Sequence, residues 1–228
     1  MIIGHRGAAG LAPENTLAAI RKAIKLQVDG VEFDIRLTKD RQLILCHDER
    51  LDKLTGDSRL VRQVSLAELR RRPTLSGQPL ATLEQALKAA RPTIAMVEPK
   101  DPDCAAELHA VLSRFSNQDI RITSFEHRVL FELRQLGCQL PFYPTDNLTT
   151  PDIIATASAL RATGISLNYR VLNVLTYWRA RRRGLEVAIF TLNNPRWLRL
   201  LRLFYRHLQV CTDYPDKLLP LRRRRGAR

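Results

Sequence analysis

The 228-residue sequence has no apolar run approaching the roughly 18 residues needed to cross a bilayer. It has no Cys-x-x-Cys pair: Cys46, Cys104, Cys138 and Cys211 are widely scattered. That spacing argues against a zinc cluster or a disulfide framework and leaves buried free thiols as the expectation. There is no internal repeat, and no linker long enough to divide the chain. No nucleic-acid-binding module is recognisable. No export signal precedes His5, where chemistry-bearing residues begin, so the expected location is the cytoplasm. Acidic residues are also in short supply. Against 23 Asp and Glu stand 37 Lys and Arg, giving a net charge of +14. The excess is mostly arginine, lies late in the chain and would attract anions.

What is present is an apolar fraction of 45%, ordinary for a packed core. Several short apolar runs end abruptly in reactive side chains. Ile2 and Ile3 lead to His5-Arg6-Gly7. Val31 to Ile35 carries Glu32 and Asp34, Leu43 to Cys46 ends at His47-Asp48, and Ile94 to Val97 ends at Glu98 and Lys100. Carboxylates, histidines and cations delivered by strand ends point to one shared pocket.

Pro13 to Thr16 reads as a loop entering a helix, with Asn15 as N-cap. Leu17, Ile20, Ile24 and Val28 give that helix one apolar face, and Asp29-Gly30 closes it. The Thr38 to Gln42 link is shorter than the roughly dozen residues a parallel crossover needs, so it reads as a hairpin. A turn near Lys39 to Arg41 places His47 opposite Glu32 to Asp34. Residues 49–92 form an excursion with a capping box at Ser65 to Glu68 and a helix over 82–90. Strands are then expected near 93–98, 120–125, 140–144, 164–168, 186–192 and 208–212. Helices are expected near 104–115, 127–136, 151–162, 172–183 and 195–206. With the strands ending at His5 and Ile35, the parallel set reaches eight, which implies a closed α/β barrel with its site at the C-terminal strand ends.

Glu32 and Asp34 lie two apart on one strand and face the same side. Inside a barrel they require a compensating cation. At a solvated strand end, pairing with arginine would suffice. With Glu98 they make a hard oxygen site suited to Mg²⁺ or Ca²⁺. His5 and His47 suit general acid and base work, although either alone has a structural reading. Arg6 and Lys100 either bind phosphate or pair with the same carboxylates. Glu14 has three available roles: bridging to the metal, pairing with Arg6, or favouring the helix start. Trp197, Leu200, Leu201, Leu203 and Phe204 interleave with Arg196, Arg199, Arg202 and Arg206. This reads as a barrel helix with a solvated basic face or, more sharply, as a contact with anionic lipid.

In order along the chain, His5-Arg6-Gly7, Pro13 to Thr16, Glu32-Phe33-Asp34, Thr38-Lys39-Asp40, His47-Asp48, Glu98 and Lys100 resemble the glycerophosphodiester phosphodiesterase family. Ser124-Phe125, Phe190 to Asn193 and Thr212 to Pro215 continue the match over nearly the whole chain. Arg41 stands where that family often has glycine, and Phe190 where tryptophan is usual. The resemblance implies a TIM-type (β/α)8 barrel over residues 1–221, with a hairpin after the second strand and a small insertion over 49–92. A basic tail would follow at 222–228.

The resemblance also implies a divalent metal at Glu32, Asp34 and Glu98, and His5 and His47 as the acid/base pair. Arg6 and Lys100 would bind phosphate, and Phe190 would wall the substrate site. The implied reaction is hydrolysis of a glycerophosphodiester to sn-glycerol 3-phosphate and an alcohol, by way of a cyclic phosphate. Two alternatives are a lysophospholipase D and a non-catalytic basic protein that binds membrane surfaces. The expected partners are a small phosphodiester and, peripherally, an anionic membrane.

Overall fold

The computed structural model describes residues 1–148 and 151–222. Residues 223–228, most of the expected basic tail, lie outside the described residues.

Strands and helices alternate: β1 (Ile2–Gly4), α1 (Leu17–Lys25), β2 (Gly30–Leu37), β3 (Leu43–Leu45), α2 (Asp52–Thr55), α3 (Leu66–Arg70), α4 (Leu83–Ala90), β4 (Ile94–Pro99), α5 (Ala105–Leu112), β5 (Ile120–Ser124) and α6 (His127–Gln135). Then follow β6 (Phe142–Asp146), α7 (Pro151–Ala159), β7 (Gly164–Asn168), α8 (Val174–Arg182), β8 (Glu186–Phe190), α9 (Pro195–Phe204), β9 (Leu208–Thr212) and α10 (Pro215–Leu218). The parallel ring runs β1-β2-β4-β5-β6-β7-β8-β9 and closes where β9 pairs with β1. This is a TIM-type (β/α)8 barrel, and β3 is the additional strand, antiparallel to β2.

The register on β2 explains how the hairpin reaches the site. β1 pairs with β2 only at Gly30 and Val31. Farther along, Ile35 pairs with Leu45 and Leu37 with Leu43. β3 therefore takes the edge of β2 that β1 leaves free, and it carries His47 up to the barrel rim. The turn is set by Arg41, whose φ of 56° lies in the left-handed region that glycine adopts without strain. Arg41 is held there by contacts to Asp103 and Glu107.

Alternation along the strands sorts the side chains into two layers. Val31, Phe33, Ile35, Ala95 and Val97 join Ile20, Leu87 and Leu108 in the layer between strands and helices. Each such large side chain, fully buried, contributes about 1.5–3 kcal/mol. Their neighbours Glu32, Asp34, Met96 and Glu98 turn into the lumen with Ile3, Ala188 and Cys211. At the opposite end, Arg121, Tyr143, Glu186 and Gln209 come from the first or second residues of their strands and close the floor with a polar network.

Three local expectations change. α1 ends at Lys25 rather than running to Val28, because the chain turns through Gln27 at a φ of 61°. Its N-cap is Thr16, whose hydroxyl accepts from the Ala19 amide at 3.1 Å, not Asn15. Within 49–92, Ser65 caps α3, but the expected capping box is only half made, because the Glu68 carboxylate pairs with Arg59 and Arg72 instead; Thr82 caps α4, and Leu51, Val61, Val64 and Leu69 form a small core. Among the described residues, no helix is long and apolar enough to cross a membrane. All four cysteines are free and buried.

Candidate active site

The loop after β1 makes a strained turn. Arg6 has a φ of 47° and Gly7 one of 87°. A Cβ on Gly7 would lie 2.5 Å from the Ala19 backbone, so only glycine fits against α1. The turn aims the Arg6 amide at Glu32 Oε2, 2.9 Å away, and the His5 ring into the lumen. Strain of this kind, worth about 1–3 kcal/mol, tends to sit at functional sites.

His5, Glu32, Asp34 and Glu98 share one cleft of about 620 Å³ with Arg6, His47, Lys100 and Phe190. At its base, ligand oxygens of Glu32, Asp34 and Glu98 lie within 4.8 Å of one another, and all three residues are buried. Glu32 Oε1 is buried with no hydrogen-bond partner among the described residues. Burial, with Asp34 and Glu98 close by, pushes the Glu32 carboxyl up to about 8. Burial also raises Glu98 despite the attraction of Lys100. At Asp34 burial is outweighed by Lys100, Arg6 and Asn15, and its pKa is held below the usual carboxylate range. An orphaned oxygen among three crowded carboxylates is a donor set that fits a divalent cation.

Arg6 and Lys100 stand as ion-pair partners in this cluster, as the blander reading of them allowed. Arg6 Nε is 3.0 Å from Asp34, and its Nη1 meets Glu14 at 2.8 Å. This gives Glu14 the second of its three available roles. Lys100 Nζ bridges Asp34 at 2.9 Å and Glu98.

The two histidines are held alike and tuned apart. His5 Nδ1 meets Asp213 at 2.6 Å, and His47 Nδ1 meets Asp48 at 2.6 Å. A carboxylate only accepts, so Nδ1 carries the proton in both rings and Nε2 remains for chemistry. Burial depresses His5, but the Asp213 hydrogen bond and the Glu32 charge outweigh it, and its pKa is raised. Burial also depresses His47, and there the Asp48 hydrogen bond does not compensate, so its pKa is lowered.

Several residues in the site were given no catalytic or binding role from the local sequence pattern. Asn15 clamps Asp34, donating to its carboxylate at 2.9 Å and accepting from its amide at 3.0 Å. Asp213 is fixed by Asn193, whose amide donates to Oδ2 at 2.6 Å. Arg36 donates to the His47 carbonyl at 2.8 Å while pairing with buried Asp101 at 2.7 Å. Ser124 ties down the end of β4 through the Pro99 carbonyl at 2.8 Å. Above the carboxylates, Phe125 and Phe190 meet edge to face at 5.6 Å, and Lys100 Nζ lies 5.6 Å from the Phe125 ring. Asp213 was within reach of the rule that singled out His5, since it also follows directly on an apolar strand.

The profile of the glycerophosphoryl diester phosphodiesterase family matches residues 5–217. The Bacillus subtilis (strain 168) protein YhdW, provisionally named a glycerophosphodiester phosphodiesterase, is 31% identical over 96% of both chains. A structure of a glycerophosphodiester phosphodiesterase from Thermotoga maritima superposes with a TM-score of 0.83 at 26% identity, covering 97% of each chain. An Oleispira antarctica phosphodiesterase, solved with the product sn-glycerol 3-phosphate, superposes with a TM-score of 0.90 at 22% identity, covering 96% of this chain and 95% of that one.

Proposed function

The chain belongs to the glycerophosphoryl diester phosphodiesterase family, and from that premise we propose that it hydrolyses glycerophosphodiesters to sn-glycerol 3-phosphate and an alcohol. The observation that carries the residue assignment is the buried trio Glu32, Asp34 and Glu98, lining one cleft with two carboxylate-anchored histidines. Glu32, Asp34 and Glu98 would hold a divalent cation, Mg²⁺ or Ca²⁺. Bound there, the cation would polarise the phosphoryl oxygens and offset charge developing on phosphorus.

The histidine environments support one division of the proton transfers. Groups whose surroundings push their pKa values apart divide into acid and base. His47, depressed, is neutral and takes the proton from the glycerol C2 hydroxyl as that oxygen attacks phosphorus. His5, raised, gives its Nε2 proton to the alcohol oxygen as its bond to phosphorus breaks. The cyclic phosphate is then opened by water. Neutral His5 takes a water proton, protonated His47 returns one to the C2 oxygen, and sn-glycerol 3-phosphate leaves. Asp213 and Asp48 hold the two rings in the required tautomer. Arg6 and Lys100 supply fixed positive charge beside the phosphoryl group.

The Phe125–Phe190 strip would suit an acyl chain, which is the specific observation favouring a lysolipid substrate. Asn147, Asn168, Asn193 and Arg170 on the same cleft favour a polar headgroup. A panel of glycerophosphodiesters and their lysolipid counterparts, assayed with Mg²⁺, with Ca²⁺ and with chelator, tests the reading. Turnover of the deacylated esters with either metal and none with chelator is the expected result. Full activity in chelator would reject the cation, and preference for the lysolipids would select the lysophospholipase D alternative.

A further inference from the structure

The outward side of α8 and α9 differs from the rest of the surface. Both tryptophans of the chain lie there, Trp178 being 53% exposed and Trp197 47%. Val174, Leu175, Leu200 and Leu203 are exposed around them, Leu203 to 76%. The inward sides of these helices are already used: Tyr177 and Ala180 of α8 and Leu198 and Leu201 of α9 are buried in the core. The outer apolar residues are therefore surplus to the packing of the barrel. Single exposed apolar side chains are unremarkable, but a contiguous patch marks an interaction site.

The two helices adjoin beneath this face. The buried Tyr177 ring of α8 lies 5.0 Å from that of Tyr205, which follows α9, and the Tyr177 hydroxyl donates to the Arg206 carbonyl. Arginine fills the spaces between the apolar residues. Val174, Trp178 and Arg182 follow at intervals of four along α8, and Arg196, Arg199 and Leu203 share the outer face of α9. Arg179, Arg182, Arg183, Arg196, Arg199 and Arg206 make no ion pair with any described residue. Glu186, which follows α8 in the chain, is engaged in the barrel floor.

Charge complementarity selects the partner. Guanidinium groups bind phosphate, and their stems lie along apolar surface. Indoles favour the boundary between headgroups and acyl chains. A basic amphipathic face of this composition fits an anionic bilayer. A second copy of the same chain fits poorly, because arginine would face arginine. Orientation agrees: α8 and α9 each begin just after residues that line the cleft, Arg170 and Asn194. Val174, Leu175 and Trp197, in the first turns, thus lie on the side of the mouth.

We propose that the outer faces of α8 and α9 form a peripheral docking surface for anionic phospholipid bilayers. The surface stands independently of the reaction at the cleft.

The test is sedimentation of the full chain with vesicles of pure phosphatidylcholine or of phosphatidylcholine containing one third phosphatidylserine, with tryptophan emission read in parallel. Binding to the anionic vesicles, a blue shift on binding, and loss of both as salt is raised are expected. Replacing Arg179, Arg182, Arg196 and Arg199 together by glutamate should weaken binding by at least about tenfold. Trp178→Ser/Trp197→Ser should also weaken it, with circular dichroism confirming that both variants fold.

Equal binding to neutral vesicles, or none to anionic ones, would overturn the proposal. So would binding to an acidic polypeptide with no vesicle binding, which would assign the face to an acidic protein. A dimeric mass with blue-shifted emission before lipid is added would put a second copy there instead. Turnover of a soluble diester, measured alongside, bears only on the cleft. Its absence would defeat the proposed reaction and leave the vesicle result standing.

Discussion

β1, β2 and β4 turn His5, Glu32, Asp34 and Glu98 into the lumen, whereas β5, β7, β8 and β9 turn Thr123, Ser166, Ala188, Phe190 and Cys211 into the same space. The strand–helix unit is the same on both sides. The difference teaches why the charge is concentrated. A buried charge that loses its partner costs about 3–5 kcal/mol. On adjacent strands these groups compensate one another: Lys100 serves two carboxylates at once, and Arg6 serves Asp34 and Glu14. Spread evenly around the ring, each would need its own counter-charge. The other side shapes the cleft mainly with rings, hydroxyls and amides. The exterior repeats the contrast. Asp57, Arg59, Glu68 and Arg72 pair with one another on the insertion, while Arg179, Arg182, Arg196 and Arg199 of α8 and α9 make no ion pair with any described residue.

The largest effect should come from the charged side. His5→Ala or His47→Ala should lower kcat by about a thousandfold with an unchanged circular dichroism spectrum. Near-normal turnover in either would break the division of labour at its centre.

Asp213 is the carboxylate that the other side brings to His5, and it sharpens the comparison. Asp213→Asn should cost about 10–100-fold in kcat/KM. The sign of the pH effect follows from His5, which this hydrogen bond raises. Without it His5 loses its proton at lower pH, so the alkaline limb of the kcat/KM profile should move to lower pH. An unmoved limb would show that His5 is not the acid. The acidic limb, set by depressed His47, should fall below the ordinary histidine value of about 6.5 in both proteins.

Phe190→Ala removes part of the uncharged wall. It should raise KM by about tenfold and change kcat little, since the wall binds ground and transition states alike. A fall in kcat equal to the rise in KM would give the wall a part in the chemistry. The smallest functional effect should come from the floor. Tyr143→Phe strips the hydroxyl that Arg121, Glu186 and Gln209 share and should cost about 1–2 kcal/mol of stability by denaturant titration, with kcat unchanged.

Much of this organisation was legible in the sequence. The strands over 164–168 and 208–212 fall where apolar runs placed them, and the short Thr38 to Gln42 link was a sufficient signal for the hairpin. Asn15 was misread for a physical reason. Asn and Thr are both good N-caps, and they are adjacent here. What separates them is the 54° φ of Asn15, imposed by a loop that returns to Asp34, and no local pattern encodes that return. Arg36 carries no local signal of a role, since only the hairpin brings the His47 carbonyl to it. The role of Asp213 depends on the ring closing, since only the pairing of β9 with β1 brings it to His5.

That closing seam has a consequence for the chain during its synthesis. His5 and the carboxylate that orients it are 208 positions apart. The imidazole is translated ahead of seven of the eight ring strands, and Asp213 follows only after all of them. A nascent chain therefore carries the proposed acid without its orienting carboxylate until the last strand of the ring has been made.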